Sequence, residues 1–191
     1  MHPQILKRTK TRAMFEIINI KFSCQLTQGL DFGQIEEKFP YLSHQAGNGR
    51  VVIRCESFTF CIMGKQNRFL NITGLKCFGD VMASINCFEN SFESTKILLE
   101  SVKFDSICAI YSASPKILTA ILSSKESQFW IKKYPNILSR INIKPKQPIG
   151  GSKGMSANIF KSGKAIIFGS SNLTDIWVFI SLMKGCLLDH R

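Results

Sequence analysis

The chain has 191 residues, of which 45% are hydrophobic and 20% charged, and Lys plus Arg outnumber Asp plus Glu by 25 to 13, a formal net charge of +12. That composition fits a globular protein and not an intrinsically disordered chain, and an excess of this sign favours a polyanionic partner, nucleic acid first and an acidic membrane surface second. The longest apolar stretch, near residues 176–188, is broken by Lys184 and Gly185 and falls short of the roughly 20 residues a bilayer requires.

Residues 1–13 read as a basic arm without the apolar core of a secretory signal. "INIKFSCQL" (18–26) is expected to be a strand, and "LDFGQIEEKF" after it a short helix. An arginine-bearing strand, "RVVIRCE" around Arg54, follows, and further strands run to "LNITG", ending at Gly74. Phe78, Val81, Met82 and Ile85 then recur at helical spacing, the stripe of a helix that lies on a sheet.

The order then repeats. "ESVKFDSICAI" (100–110) resembles the first strand, with Ser101 matching Asn19, Val102 matching Ile20, and Lys103-Phe104 matching Lys21-Phe22. "SPKILTAILSS" offers a helix with Ser114 as its cap and Pro115 at its first position. "ILSRINI" places Arg140 on a strand, "AIIFG" ends at Gly169, and Leu173, Ile176, Trp177 and Ile180 form a second helical stripe behind a box-like Asn172 and Asp175. Each half is a strand, a short helix, several strands and a longer helix, and about eighty residues bury too little apolar surface to stand alone. Joined edge to edge, two halves would form one antiparallel sheet with helices on one face and the other face open.

Chemistry-bearing patterns are sparse. The seven cysteines contain no CxxC pair, which argues against structural zinc and for reduced thiols in a reducing compartment. No phosphate-binding loop surrounds Gly163-Lys164, because Asn158 stands where its first glycine belongs and Ala165 follows the lysine. No catalytic set and no metal or cofactor site is expected, so a binding protein is expected rather than an enzyme.

"YPNILSRINIKPK" (134–146) and "NIFKSGKAIIFGSS" (158–171) resemble two second-repeat segments of the TATA-box-binding protein family, Phe-Pro-Gly-Leu-Ile-Tyr-Arg-Met-Val-Lys-Pro-Lys and Leu-Ile-Phe-x-Ser-Gly-Lys. "EIINIKFSCQL" and "NITG" are more distantly similar to segments of the first repeat. The resemblance implies an α+β saddle: two pseudo-symmetric repeats, residues 14–94 and 95–191, forming one curved antiparallel sheet with helices on its convex face. It also implies a transcription initiation factor that binds and bends A/T-rich promoter DNA through the minor groove and recruits general transcription factors and RNA polymerase machinery. The setting would be the nucleus, or the equivalent transcription compartment of a virus or reduced genome. The alternative is a protein-interaction module of the same fold that has lost sequence-directed bending.

The resemblance also assigns residues. Aromatic wedges that kink DNA map to Tyr134 and Phe160, although either ring could instead be packing. In the first half the wedge positions fall on Asn48 and Lys65 when counted without gaps, or on Met63 after a small shift. The positions that face DNA from the sheet map to Asn19, Lys21, Asn71 and Thr73 in one half and to Ser101, Lys103, Ile166 and Phe168 in the other. Arg54, Arg140 and Lys164 are the candidates for phosphate contacts, with the two arginines expected at equivalent places, and ordinary surface cations are the alternative. The insertion "KPKQPIGGSKG" either enlarges a stirrup that grips backbone or is a tolerated surface loop.

Overall fold

The computed structural model describes residues 14–46, 49–124, 128–133, 140–152 and 154–188. Among the described residues ten strands form a single curved antiparallel sheet, and four α-helices accompany it. The strands are β1 (Met14–Leu26), β2 (Ser43–Ala46), β3 (Arg50–Arg54), β4 (Thr59–Met63), β5 (Phe69–Leu75), β6 (Ile97–Ser112), β7 (Phe129–Lys133), β8 (Arg140–Pro145), β9 (Ser156–Phe160) and β10 (Lys164–Ser170). The helices are α1 (Phe32–Lys38), α2 (Gly79–Ser91), α3 (Lys116–Ser123) and α4 (Leu173–Leu188). Spatial order across the sheet is β2-β3-β4-β5-β1-β6-β10-β9-β8-β7, so each half of the chain contributes five neighbouring strands.

Alternation sorts the side chains. Ile20, Phe22, Cys24 and Leu26 of β1 are buried, as are Phe60 and Ile62 of β4, Leu70 and Ile72 of β5, and Ile159, Ala165 and Ile167 of β9 and β10. All of these point to the helices, whereas the residues between them stay half-buried or exposed on the other face. Helix α2 contributes Val81, Ile85 and Phe88 to the core, and α4 contributes Ile176, Phe179, Ile180 and Met183. The stripes are thus rotated from those expected: Phe78, Met82 and Trp177 remain 39%, 53% and 45% exposed, and Phe88 and Phe179 take the buried places. Trp177 instead lies against Phe15 of β1, with ring centroids 4.5 Å apart.

Local chemistry starts the helices. Asp31 and Gln34 form a reciprocal capping box on α1, Gln34 N donating to Asp31 Oδ1 at 2.8 Å and Asp31 N to Gln34 Oε1 at 3.1 Å. At α4, Asp175 N donates to Asn172 Oδ1 at 2.8 Å, but the Asp175 carboxylate accepts from Ser152 Oγ at 2.6 Å and Asn172 Nδ2 at 3.0 Å. Ser152 belongs to the insertion between β8 and β9, so this buried carboxylate ties the insertion to the start of α4.

That bond bears on the insertion, for which the sequence left two readings open. Arg140 pairs with Phe160, which puts the β9–β10 hairpin at one end of these strands and the insertion at the other. The insertion therefore does not enlarge the hairpin that carries Ser162, Gly163 and Lys164.

Candidate nucleic-acid interface

The face without helices is lined by rungs that follow from strand register. In the second half one rung joins Ile110, Ile166 and Asn158 to Asn142, and another pairs Phe160 with Arg140 and Ser112 with Lys164. In the first half Asn71 joins Ser23, Cys61 and Val52, while Thr73 joins Thr59 and Arg54. Polar amides and hydroxyls, short aliphatics and Phe160 thus share a surface bordered by cations.

Register at the sheet centre revises the matching of the two halves. Asn19 pairs with Cys108, Ile20 with Ile107, and Lys21 with Ser106. A two-fold relation about the Ile20–Ile107 pair makes Ser106 the counterpart of Asn19 and Cys108 the counterpart of Lys21. The sequence match had chosen Ser101 and Lys103. Ser101 is occupied elsewhere: its Oγ accepts from Gln25 N at 2.7 Å and donates to Leu98 O at 2.6 Å where the ladder shifts register. Lys103 is exposed and faces Ser23, away from the centre. The Lys-Phe similarity misled because β1 and β6 pair through irregularities, at Ile17/Asn19, Lys21/Phe22 and Ser23/Gln25, that displace one strand against the other.

Asn19 is fastened from one side. Its Oδ1 accepts from Gly74 N at 2.8 Å and Thr73 Oγ1 at 3.3 Å, and Gly74 has φ +98°. The carbonyl end is thereby used, so the groups this side chain has to offer a ligand are the amide's two donors. Donors suit the minor-groove edge of A·T pairs, which presents only the acceptors adenine N3 and thymine O2. Asn142 and Asn158, which sequence reading passed over, form a similar pair: Asn142 Nδ2 donates to Asn158 Oδ1 at 3.1 Å. Alternation within "INI" and "ANI" was the signal for them.

The arginines are not equivalent. Arg54 lies opposite Thr59, at the end of β3 remote from the first hairpin, whereas Arg140 lies opposite Phe160, next to the second. The register counterpart of Arg140 is Arg50, because β4 ends at Met63 as β9 ends at Phe160. Lys164 follows a hairpin in which Gly163 N donates to Phe160 O at 2.9 Å. Gly163 has φ +84°, and a Cβ there would lie 2.6 Å from Ala113 O, so glycine is required for the hairpin to pack against the start of α3.

Of the wedge positions, Phe160 is half-buried on the open face, and Tyr134 and Asn48 lie outside the described residues. Lys65 sits in the first hairpin, within a short 3-10 turn, Lys65–Asn67. Met63 ends β4 as Phe160 ends β9, and it pairs directly with Phe69. Phe69 is 47% exposed, and its ring covers Gly64, where a Cβ would meet it at 2.5 Å. The first hairpin therefore does carry an aromatic on the open face, on the strand opposite the one expected. Two carboxylates also share the face: Glu16, paired with Ile110, and Asp105, which accepts from Ser23 Oγ at 3.0 Å.

Among the described residues no group of His, Cys, Asp and Glu could hold a metal ion, and no helix is long and apolar enough to cross a membrane.

A ten-stranded antiparallel saddle, read in the same strand order from either edge and covered by helices on one side, defines a TATA-box-binding-protein-like fold. The structure of Methanococcus jannaschii TBP aligns with it at a TM-score of 0.65 and 17% identity, covering 90% of this chain and 98% of that one. Heterotetrameric sarcosine oxidase from Corynebacterium sp. U-96 aligns at a TM-score of 0.32 and 8% identity, over 91% of this chain and 85% of that one, too low to imply shared architecture. No protein-family model and no curated protein matches the sequence.

Proposed function

We propose that this chain is a DNA-binding transcription factor that seats A/T-rich promoter duplex on its open sheet face through the minor groove, bends it, and recruits initiation machinery with its helices. On this reading residues 14–94 and 95–191 are two copies of one unit, the protein is not an enzyme, and it works in the nucleus or the equivalent transcription compartment of a virus or reduced genome. The observation that carries the reading is the face that no helix among the described residues covers: amides near the centre, and at each end a hairpin bearing an exposed or half-buried phenylalanine beside long cations. Unstacking a base step costs a few kcal/mol, which an inserted ring offsets by burying apolar area and by stacking. Phe160 and Phe69 are the wedges, Arg50, Arg140 and Lys164 neutralise phosphates at the hairpin ends, and Asn19, Asn71 and Thr73 read the groove.

Glu16 and Asp105 favour a second reading, in which the saddle binds a protein and bends no DNA, since carboxylates repel a phosphate backbone. Fluorescence measurement of binding and bending on A·T-rich and G·C-rich duplexes separates the two. Selective bending of the A·T-rich duplex is expected, with affinity falling by a log-log slope of roughly 0.9 per phosphate neutralised as salt rises. Absent binding, or equal binding without bending, overturns the first reading in favour of the second.

A further inference from the structure

Beyond the hairpin wedges, the open face of the second half runs out into a patch that groove reading leaves unused. Strand β7 is outermost there, and Phe129 is buried against Phe179 of α4, with ring centroids 5.3 Å apart. Alternation then turns Trp130 to the helix-free face, where it is 65% exposed. Register makes it the end of a row: Phe168 pairs with Ser156, the rung beyond Ile143–Ala157 sets Ser156 beside Lys144, and Lys144 pairs with Trp130. Lys146 Nζ lies 5.6 Å from the centre of the indole. A shallow cavity of about 260 Å³ opens beside it, and no carboxylate lines it.

The first half carries a different set at the corresponding edge, where Leu42 is 47% and Tyr41 96% exposed and Arg54 stands at the register place of Lys144. Leu42 occupies the corresponding place, its carbonyl accepting from Arg54 N at 3.0 Å, and β2 beyond it carries no lysine or arginine. A tryptophan left this exposed forgoes apolar burial worth about 2 kcal/mol or more, and two lysines beside it deter a neutral apolar partner. The combination of an open aromatic face with flanking ammonium groups fits a polyanion that also offers flat rings or sugars.

We propose that Trp130, Lys144 and Lys146 form an accessory nucleic-acid contact, in which the lysines meet phosphates and the indole lies against the duplex where it runs past the sheet edge. This deepens the duplex-binding reading above and rests on it. Continuity with the open face through Phe168, Ser156 and Lys144 selects the duplex over an acidic protein segment.

The test exploits the fact that the chain has two tryptophans: Trp177→Phe leaves Trp130 as the sole indole. This protein is titrated with A·T-rich duplexes of about 10 and about 24 base pairs, and with poly-L-glutamate. Quenching of Trp130 is expected with the longer duplex and little with the shorter. The double variant Lys144→Gln/Lys146→Gln should lower the salt slope on the longer duplex by about 1.8, twice the increment of roughly 0.9 per phosphate, and leave the shorter unchanged. Trp130→Ala should weaken only the longer duplex, by about fivefold or more. Unchanged slope and affinity on a longer duplex that still binds overturn the accessory contact alone. Quenching by polyglutamate but not by DNA assigns the patch to an acidic protein segment and overturns it likewise, whereas failure to bind either duplex overturns this contact and the duplex-binding reading together.

Discussion

Phe69 gives the sharpest test of how the first half engages DNA. An aromatic side chain buries about 150–250 Å² when fully covered, and with 47% of Phe69 exposed roughly 100 Å² remains for a ligand to cover. At about 25 cal/mol per Å² that area is worth about 2.5 kcal/mol, or roughly 60-fold in affinity. Phe69→Ala should therefore weaken A·T-rich duplex binding by about that factor and reduce the bend measured by energy transfer between dyes at the duplex ends. Phe160→Ala should do the same from the other end, and Met63→Ala much less, because the aromatic of the first hairpin stands on β5. Thermal unfolding controls for the loss of contact between the ring and Gly64. If Phe69→Ala binds and bends DNA like the unaltered protein while Phe160→Ala does not, the first hairpin inserts no wedge through Phe69 and the reasoning fails.

Two further outcomes follow from backbone geometry and burial. Gly163→Ala must hold a left-handed φ and displace Ala113 O, so it should cost about 2 kcal/mol or more in urea unfolding, whereas Gly151→Ala, with open space around its Cα, should be nearly neutral. Burial pushes the Cys24 thiol up to about 12 and leaves it 2% exposed, so in the folded state it should resist alkylation at pH 8 and react readily in urea, while exposed Cys77 labels at once; equal labelling of the two in the native protein would refute the packing of β1.

Much of the architecture was legible because it rests on local rules. The strand runs "INIKFSCQL" and "AIIFG", the capping pair at Asn172 and Asp175, and glycines at 74 and 169 each constrain a few consecutive residues. Their recurrence in order was enough to expect one antiparallel sheet with an open face, the family resemblance implied its saddle form, and the fold has that form. Helix faces were half right: Val81, Ile85, Ile176 and Ile180 are buried, but the amphipathic period alone did not place Trp177, whose orientation depends on Phe15 across the sheet.

What the sequence alone determined, then, was the succession of strands and helices and the inward or outward side of most residues within a strand. What tertiary structure decided was which residues stand opposite one another: Ser106 rather than Ser101 as the partner position of Asn19, Arg50 rather than Arg54 as that of Arg140, Phe69 across from Met63, and the insertion bound to α4 instead of to a hairpin. The physical reason is that pairing between strands far apart in the chain is set by bulges and by the packing of both faces at once. A one-residue slip leaves the local pattern of either strand unchanged while it moves every side chain to the other face.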